Sequence, residues 1–341
     1  MHKKLWAVFF VILVPTLFYL GCDAGAHRTH DGAKNTKLVG KCSLGDQGNA
    51  IKVVDSYAYI VTWDTFLIVD VSNPRTPRIV SIMINKGGIK LDVEGSYAYI
   101  TIPGEYATMH IINISNPYNP TLVTTYSDWV LNKSTWGIDV VDSFAYVTAY
   151  NKLGIINVSD VQKPRRENYI VISEGGIGGG SPEAVEVKGG LAYIAAEDSG
   201  LLIINVAKPE SIYRVGKYLT EPGWGCDIEI QFPYAYLIEE YGYMWILDIS
   251  EPENPKKISN FPLVGGGASI KVFESHAYVA EYFEGLGIID ISDPKNPEEV
   301  GYYGTGWGGA QGVDVKSKYA YLVTRELLII DVSKFIEKEE Q

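Results

Sequence analysis

Seven charged side chains, Lys52, Asp92, Asp139, Glu186, Glu229, Lys271 and Asp314, recur at intervals of 40, 47, 47, 43, 42 and 43 residues, each between apolar neighbours. Alternation along a strand turns all seven to the face opposite its packed side. Five acids and two lysines leave a net charge of −3 there. Carboxylates so close raise one another's pKa or recruit a hard cation such as calcium, with Asp92, Asp139, Glu186, Glu229 and Asp314 as the candidate ligands; a water-filled channel compensated by its lysines is the alternative.

A second set could do acid–base chemistry. Glu239 and Glu281 each lie four residues past an alanine of equivalent repeats. Neighbouring repeats would set two carboxylates near one substrate, as a hydrolase or lyase acting on a polysaccharide requires, with Asp139 and Glu186 as further candidates. Around them fall residues suited to binding: Trp136, Trp224 and Trp307, each followed by Gly, and Trp63, Asp64, Tyr150, Glu197, Asp198, Glu240, Tyr241 and Tyr282. Aromatic faces stack on sugar rings, on aromatic side chains of a partner or on cations, whereas the same tryptophans could simply plug a ring. None of the five histidines, His2, His27, His30, His110 and His276, falls among these residues, so haem, zinc and Ser-His-Asp chemistry lack a centre there. The glycine-rich stretch 175–181 has no following Gly-Lys-Ser/Thr and reads as a loop, not a phosphate cradle.

What positions these residues is a repeat. An aromatic-alanine-tyrosine-like triplet returns seven times, centred on Ala58, Ala98, Ala145, Ala192, Ala235, Ala277 and Ala320. A period of 40–47 residues suits one four-stranded propeller blade. An alternating segment precedes each triplet and an apolar run ending in Asp or Asn follows it. Then come a Ser-x-Pro turn and a fourth extended piece, giving strands A to D from the axis outward. The expected fold is therefore all-β: a seven-bladed β-propeller of four-stranded antiparallel blades. The last repeat lacks strand D, and the lone extended segment Lys37–Cys42 is expected to supply it and close the ring. Strand alternation then gathers the D-to-A and B-to-C loops, and with them the candidate site, on one face. The turns on the other face carry Arg75, Arg78, Arg165 and Arg166 and read as solvated scaffold.

The segments Leu67-Ile68-Val69-Asp70-Val71-Ser72-Asn73-Pro74 and Leu286-Gly287-Ile288-Ile289-Asp290-Ile291-Ser292-Asp293-Pro294 resemble LVIVD repeats of exported bacterial and archaeal propellers. The resemblance spans 37–335 and implies the fold without implying a reaction. Val161 and Ala207 replace the usual Pro and Ser in repeats three and four. The seven residues Asp70, Asn113, Asn157, Asn205, Asp248, Asp290 and Asp331 look like a metal ring, but short polar side chains at a strand end are expected to hold the C-to-D turn instead.

The first 21 residues read as a signal peptide, with a basic start and an apolar run from Leu5 to Leu20. Tyr19-Leu20-Gly21-Cys22 resembles the lipobox of bacterial lipoproteins, which implies lipidation of Cys22 and a membrane-anchored, exported protein of the cell envelope, on its periplasmic or surface face. Residues 22–35 then form a flexible tether, 36–335 the propeller and 336–341 a C-terminal tail. Removing the leader leaves 27 basic against 41 acidic side chains, a surface that repels nucleic acid. Cys42 and Cys226 are placed on strands of different blades, too far apart for a disulfide. The expected protein is a monomeric binding or scaffolding module for an envelope or extracellular protein or glycan, with no cofactor other than the possible calcium. The alternative is the polysaccharide-acting enzyme.

Overall fold

The computed structural model describes residues 32–104, 106–131, 135–172, 182–196, 200–220, 225–240, 242–306 and 308–336. They form seven antiparallel blades, each ordered A-B-C-D in space, in the first six as in sequence. The innermost strands are Gly48–Val54, Leu91–Glu94, Thr135–Val141, Pro182–Lys188, Gly225–Gln231, Gly267–Phe273 and Gly312–Lys316. The ring closes as expected: Lys37–Ser43 is the outer strand of blade seven, its register running from Lys37 opposite Asp331 to Ser43 opposite Glu326.

The triplet is a lock between blades. All seven alanines are fully buried. The tyrosine that follows each alanine points to the other side of its blade and shares a core cluster with the alanine of the next blade. The pairs are Tyr59 with Ala98, Tyr99 with Ala145, Tyr146 with Ala192, Tyr193 with Ala235, Tyr236 with Ala277, Tyr278 with Ala320 and Tyr321 with Ala58. A large ring fits because the facing residue is small, and the same pair repeats around the circle. Each hydrophobic core therefore lies between blades.

The Asp/Asn series is structural at every position. The side-chain oxygen of each accepts the backbone N–H two residues on, from Ser72 (3.0 Å), Ser115 (2.9 Å), Ser159 (3.1 Å), Ala207 (3.2 Å), Ser250 (2.9 Å), Ser292 (2.8 Å) and Ser333 (2.9 Å). Ala207 keeps the bond because it needs only a backbone N–H. The hydroxyls of Ser72 and Ser250, together with these backbone bonds, hold Asp70 and Asp248 below the usual carboxylate range.

The proline turns are not simply solvated scaffold. Each C–D pairing contains an irregularity. Just beyond it, strand D meets the turn of the next blade. Ser259 Oγ donates to Pro294 O at 2.5 Å and Asn168 Nδ2 to Pro209 O at 3.0 Å. Gly40 and Gly216 occupy the same place, where an added Cβ would stand 2.2 Å from Pro74 O and 2.1 Å from Pro252 O. Arg166, expected at a solvated turn, instead reaches Asp128 of the neighbouring blade at 2.5 and 2.6 Å.

Ala33–Lys34 of the expected tether forms a short strand along the outer edge of blade six, Ala33 opposite Tyr303 and Lys34 opposite Tyr302. It covers an edge that would otherwise offer unpaired backbone groups. Residues 1–21, Cys22 and the tail beyond residue 336 lie outside the described residues. Among the described residues no helix is long and apolar enough to cross a membrane.

Candidate functional site

Strand A turns its apolar residues into the blade interfaces and leaves the seven charged residues on the axial side. Each of four carboxylates accepts a backbone N–H from strand A of the following blade. Asp92 Oδ2 takes Val140 N (2.8 Å), Asp139 Oδ2 takes Val187 N (2.6 Å), Glu186 Oε2 takes Ile230 N (2.6 Å) and Asp314 Oδ2 takes Val53 N (2.6 Å). The last of these joins blade seven to blade one. In every case the donor follows the next blade's own charged residue, so the acids stitch neighbouring inner strands together. Lysine cannot accept such a bond and pairs with an acid instead: Lys52 Nζ lies 3.1 Å from Asp92 Oδ1, and Lys271 Nζ donates to Glu229 Oε1. The missing stitch to blade six is supplied by Asp227, whose Oδ2 accepts Ile270 N at 3.0 Å.

Asp227 also meets Lys90 at 3.6 Å. Lys90 precedes the inner strand of blade two and Asp227 lies on that of blade five, so this ion pair crosses the axis between non-adjacent blades. Burial, reinforced by Asp92, pushes the Asp139 carboxyl up to about 7. Burial and Glu229 push Glu186 up to about 8. Burial also raises Glu229 and Asp314. For Lys52 and Lys271 burial acts downward, but Asp92 and Glu229 outweigh it and both ammoniums are held above the ordinary lysine value. Each of the five carboxylates thus has at least one oxygen engaged by a backbone or lysine donor. Among the described residues no three His, Cys, Asp or Glu side chains converge as metal ligands.

Glu239 and Glu281 end the second strands of blades five and six in equivalent register, opposite Gly225 and Gly267. Both are enclosed, at 2% and 0% exposure, where the sequence placed them at the channel mouth. Glu281 Oε2 accepts the N–H of Gly265 at 2.8 Å, tying down the loop that enters its own blade. The Glu239 carboxylate folds back over Gly242, and burial raises its pKa.

The loop face itself is apolar and aromatic. Trp63 is 59% exposed at the B-to-C turn of blade one, and Tyr150 is exposed in the matching turn of blade three at φ 51°. Trp136 sits half-buried in a strand irregularity, its carbonyl accepting Thr101 Oγ1 at 2.9 Å. Tyr282 is half-buried beside Phe283, with ring centroids 6.5 Å apart. Asp64 is exposed and Glu240 half-buried; Trp224, Trp307, Tyr241, Glu197 and Asp198 lie outside the described residues. Trp129, at 77% the most exposed of the large apolar side chains among the described residues, stands on the loop leaving blade two. With Tyr106, Val264 and Phe283 it extends the face beyond what the sequence singled out. Trp129 follows a run of strand-D residues and has no glycine partner, so its place in the repeat gave no signal.

With the blade register in place, the seven repeats can be matched to a family. A family model described as the LVIVD repeat matches residues 47–84, 89–128, 133–165, 179–220, 222–261, 265–305 and 307–334. The chain belongs to the LVIVD-repeat family. Solved structures similar to this LVIVD-repeat chain include the WD40 repeats of RRP9, at 9% identity and TM-score 0.69, covering 87% of this chain and 97% of that one. The structure of U3-55K is similar at 8% identity and TM-score 0.70, covering 87% and 98%. A computationally designed protein, Ika8, matches at 6% identity and TM-score 0.60, covering 85% and 97%. At such identities the likeness is one of fold alone. No curated protein matches the sequence.

Proposed function

We propose that the chain is an exported lipoprotein anchored through Cys22 in the bacterial cell envelope, on its periplasmic or surface face. Its propeller acts as a monomeric binding or scaffolding module that recognises an extracytoplasmic protein or glycan through the loop face. The observation that carries this reading is the uneven distribution of exposed large apolar side chains. Among the described residues, Trp63, Ile84, Tyr106, Trp129, Tyr150, Val171, Leu219, Tyr243, Val264 and Phe283 stand at or beside the loop face, against Tyr118, Leu122, Tyr213 and Phe232 at or beside the turns opposite. Exposed apolar surface concentrated on one face marks an interaction site. The enclosure of Glu239 and Glu281 supports binding over polysaccharide cleavage.

The test compares two sets of variants of the anchored chain. Replacing Trp63, Trp129 and Trp136 by Ala together should abolish retention of envelope proteins or arrayed glycans, while Glu239→Gln and Glu281→Gln leave retention intact. Loss of a polysaccharide-cleaving activity in the glutamine variants, with retention unchanged in the tryptophan variants, refutes the binding reading.

A further inference from the structure

We infer that the partner of the loop face is a membrane-embedded protein, met on the side from which the chain is anchored; this deepens, and rests on, the anchored binding-module reading above. The described chain enters at the rim of that face. Gly304, the last residue of the outer strand of blade six before its loop, donates its N–H to Gly32 O at 2.7 Å. From there Ala33–Lys34 descends the blade edge, the backbone turns at Asn35 (φ 59°), and Lys37–Ser43 rises again in blade seven. The ten residues from Cys22 to Gly32 span at most about 35 Å when fully extended. A lipid on Cys22 therefore keeps the rim of the loop face within about 35 Å of the bilayer.

Two features of the face decide between the surfaces it could meet there. Aliphatic tips, Ile84, Leu219 and Val264, stand exposed among the aromatic ones. They cannot stack on sugar rings, whereas they suit the apolar patches of a protein interface. Exposed Asp46 and Asp64, on a chain of net charge −12, repel an anionic lipid surface and complement basic groups on a protein. A membrane-embedded protein presenting apolar and basic residues satisfies both.

The test places a photoreactive phenylalanine derivative in the full-length chain, one position at a time, at Trp129 or Phe283 on the loop face and at Tyr118 or Phe232 on the turn face, and illuminates intact cells. The loop-face positions should capture, at tenfold or greater yield than the turn-face positions, a protein whose identified sequence contains membrane-spanning segments. Equal capture from both faces, adducts to lipid alone, a glycan ladder, a soluble protein, or no adduct from a folded and anchored chain would each overturn the proposal. Mass spectrometry of the Cys22 peptide and a thermal melt on the same material separate the two levels. A chain recovered soluble, with Cys22 unmodified, overturns the anchored reading and this inference with it. An acylated, folded chain that fails the capture overturns the inference alone.

Discussion

Raising the pH from 6.5 to 8.5 should destabilise the propeller. The cause is the axial pair Asp139 and Glu186, pushed up to about 7 and about 8 by burial and by the carboxylates beside them. In the unfolded chain these groups are already ionised across that window, so the native state holds the extra protons. Stability is then lost as the pH rises through the folded values. With Asp139 about half protonated and Glu186 about nine-tenths protonated at pH 7, the slope is roughly 2 kcal/mol per pH unit there, and the loss over the whole window is roughly 2–3 kcal/mol. Glu229 and Asp314, also raised by burial, act with the same sign. Groups of opposite effect act mainly at the lower edge of the window. Burial holds His110 at about 4 and lowers His276, so they add stability as the pH rises through the ordinary histidine value and offset part of the loss near pH 6.5–7. Asp70 and Asp248, held low by their serine turns, matter only in acid. Urea unfolding at pH 6.5, 7.5 and 8.5 measures the slope. Asp139→Asn with Glu186→Gln keeps an acceptor oxygen for Val187 N and Ile230 N while removing the titration, and should flatten the curve. A wild-type stability that is constant or rises across the window, or an unchanged slope in the double variant, refutes the reasoning.

Three further outcomes can be read by denaturation. Tyr278→Phe should stabilise the protein by about 1 kcal/mol, because the Tyr278 hydroxyl is buried with no hydrogen-bond partner among the described residues and its removal relieves that cost; a lowered melting temperature would contradict it. Gly216→Ala should cost at least about 1–3 kcal/mol, since its Cβ would meet Pro252 O at 2.1 Å and push two blades apart. The same substitution at Gly45 meets nothing within 4 Å but stands at φ 81°, so its milder loss would be conformational strain alone. Ala98→Leu should cost about 1–3 kcal/mol by overpacking against Tyr59 and Phe66, and an unperturbed melt would refute the lock between blades.

What was legible in the sequence is what repeats. A residue that does the same job seven times leaves a period, and the alanines, the axial charges and the Asp/Asn turns all left one. Their partners were less visible because they belong to the next blade. That Tyr59 covers Ala98, or that Asp314 accepts Val53 N, depends on how neighbouring blades are rotated about the axis, and nothing local in the chain records that angle. The functional candidates suffered from the opposite difficulty. Glu239 and Glu281 stood out because two repeats shared them, and each is enclosed against the loop of its own blade, which no period in the chain announced. Trp129 and Lys90 occur once each, and a single residue in a repeat protein has no period to announce it. Lys90 matters because Asp227 faces it across the ring, three blades away, and that distance exists only once the ring is closed. Closing the ring also gives the loop face its character. Loops that are unremarkable one by one bring their apolar tips to a single surface, and at blade six the chain that leads back to Cys22 meets the same rim. Shape is therefore set by what the blades have in common, and the recognition proposed above rests on what each blade adds at its loop end.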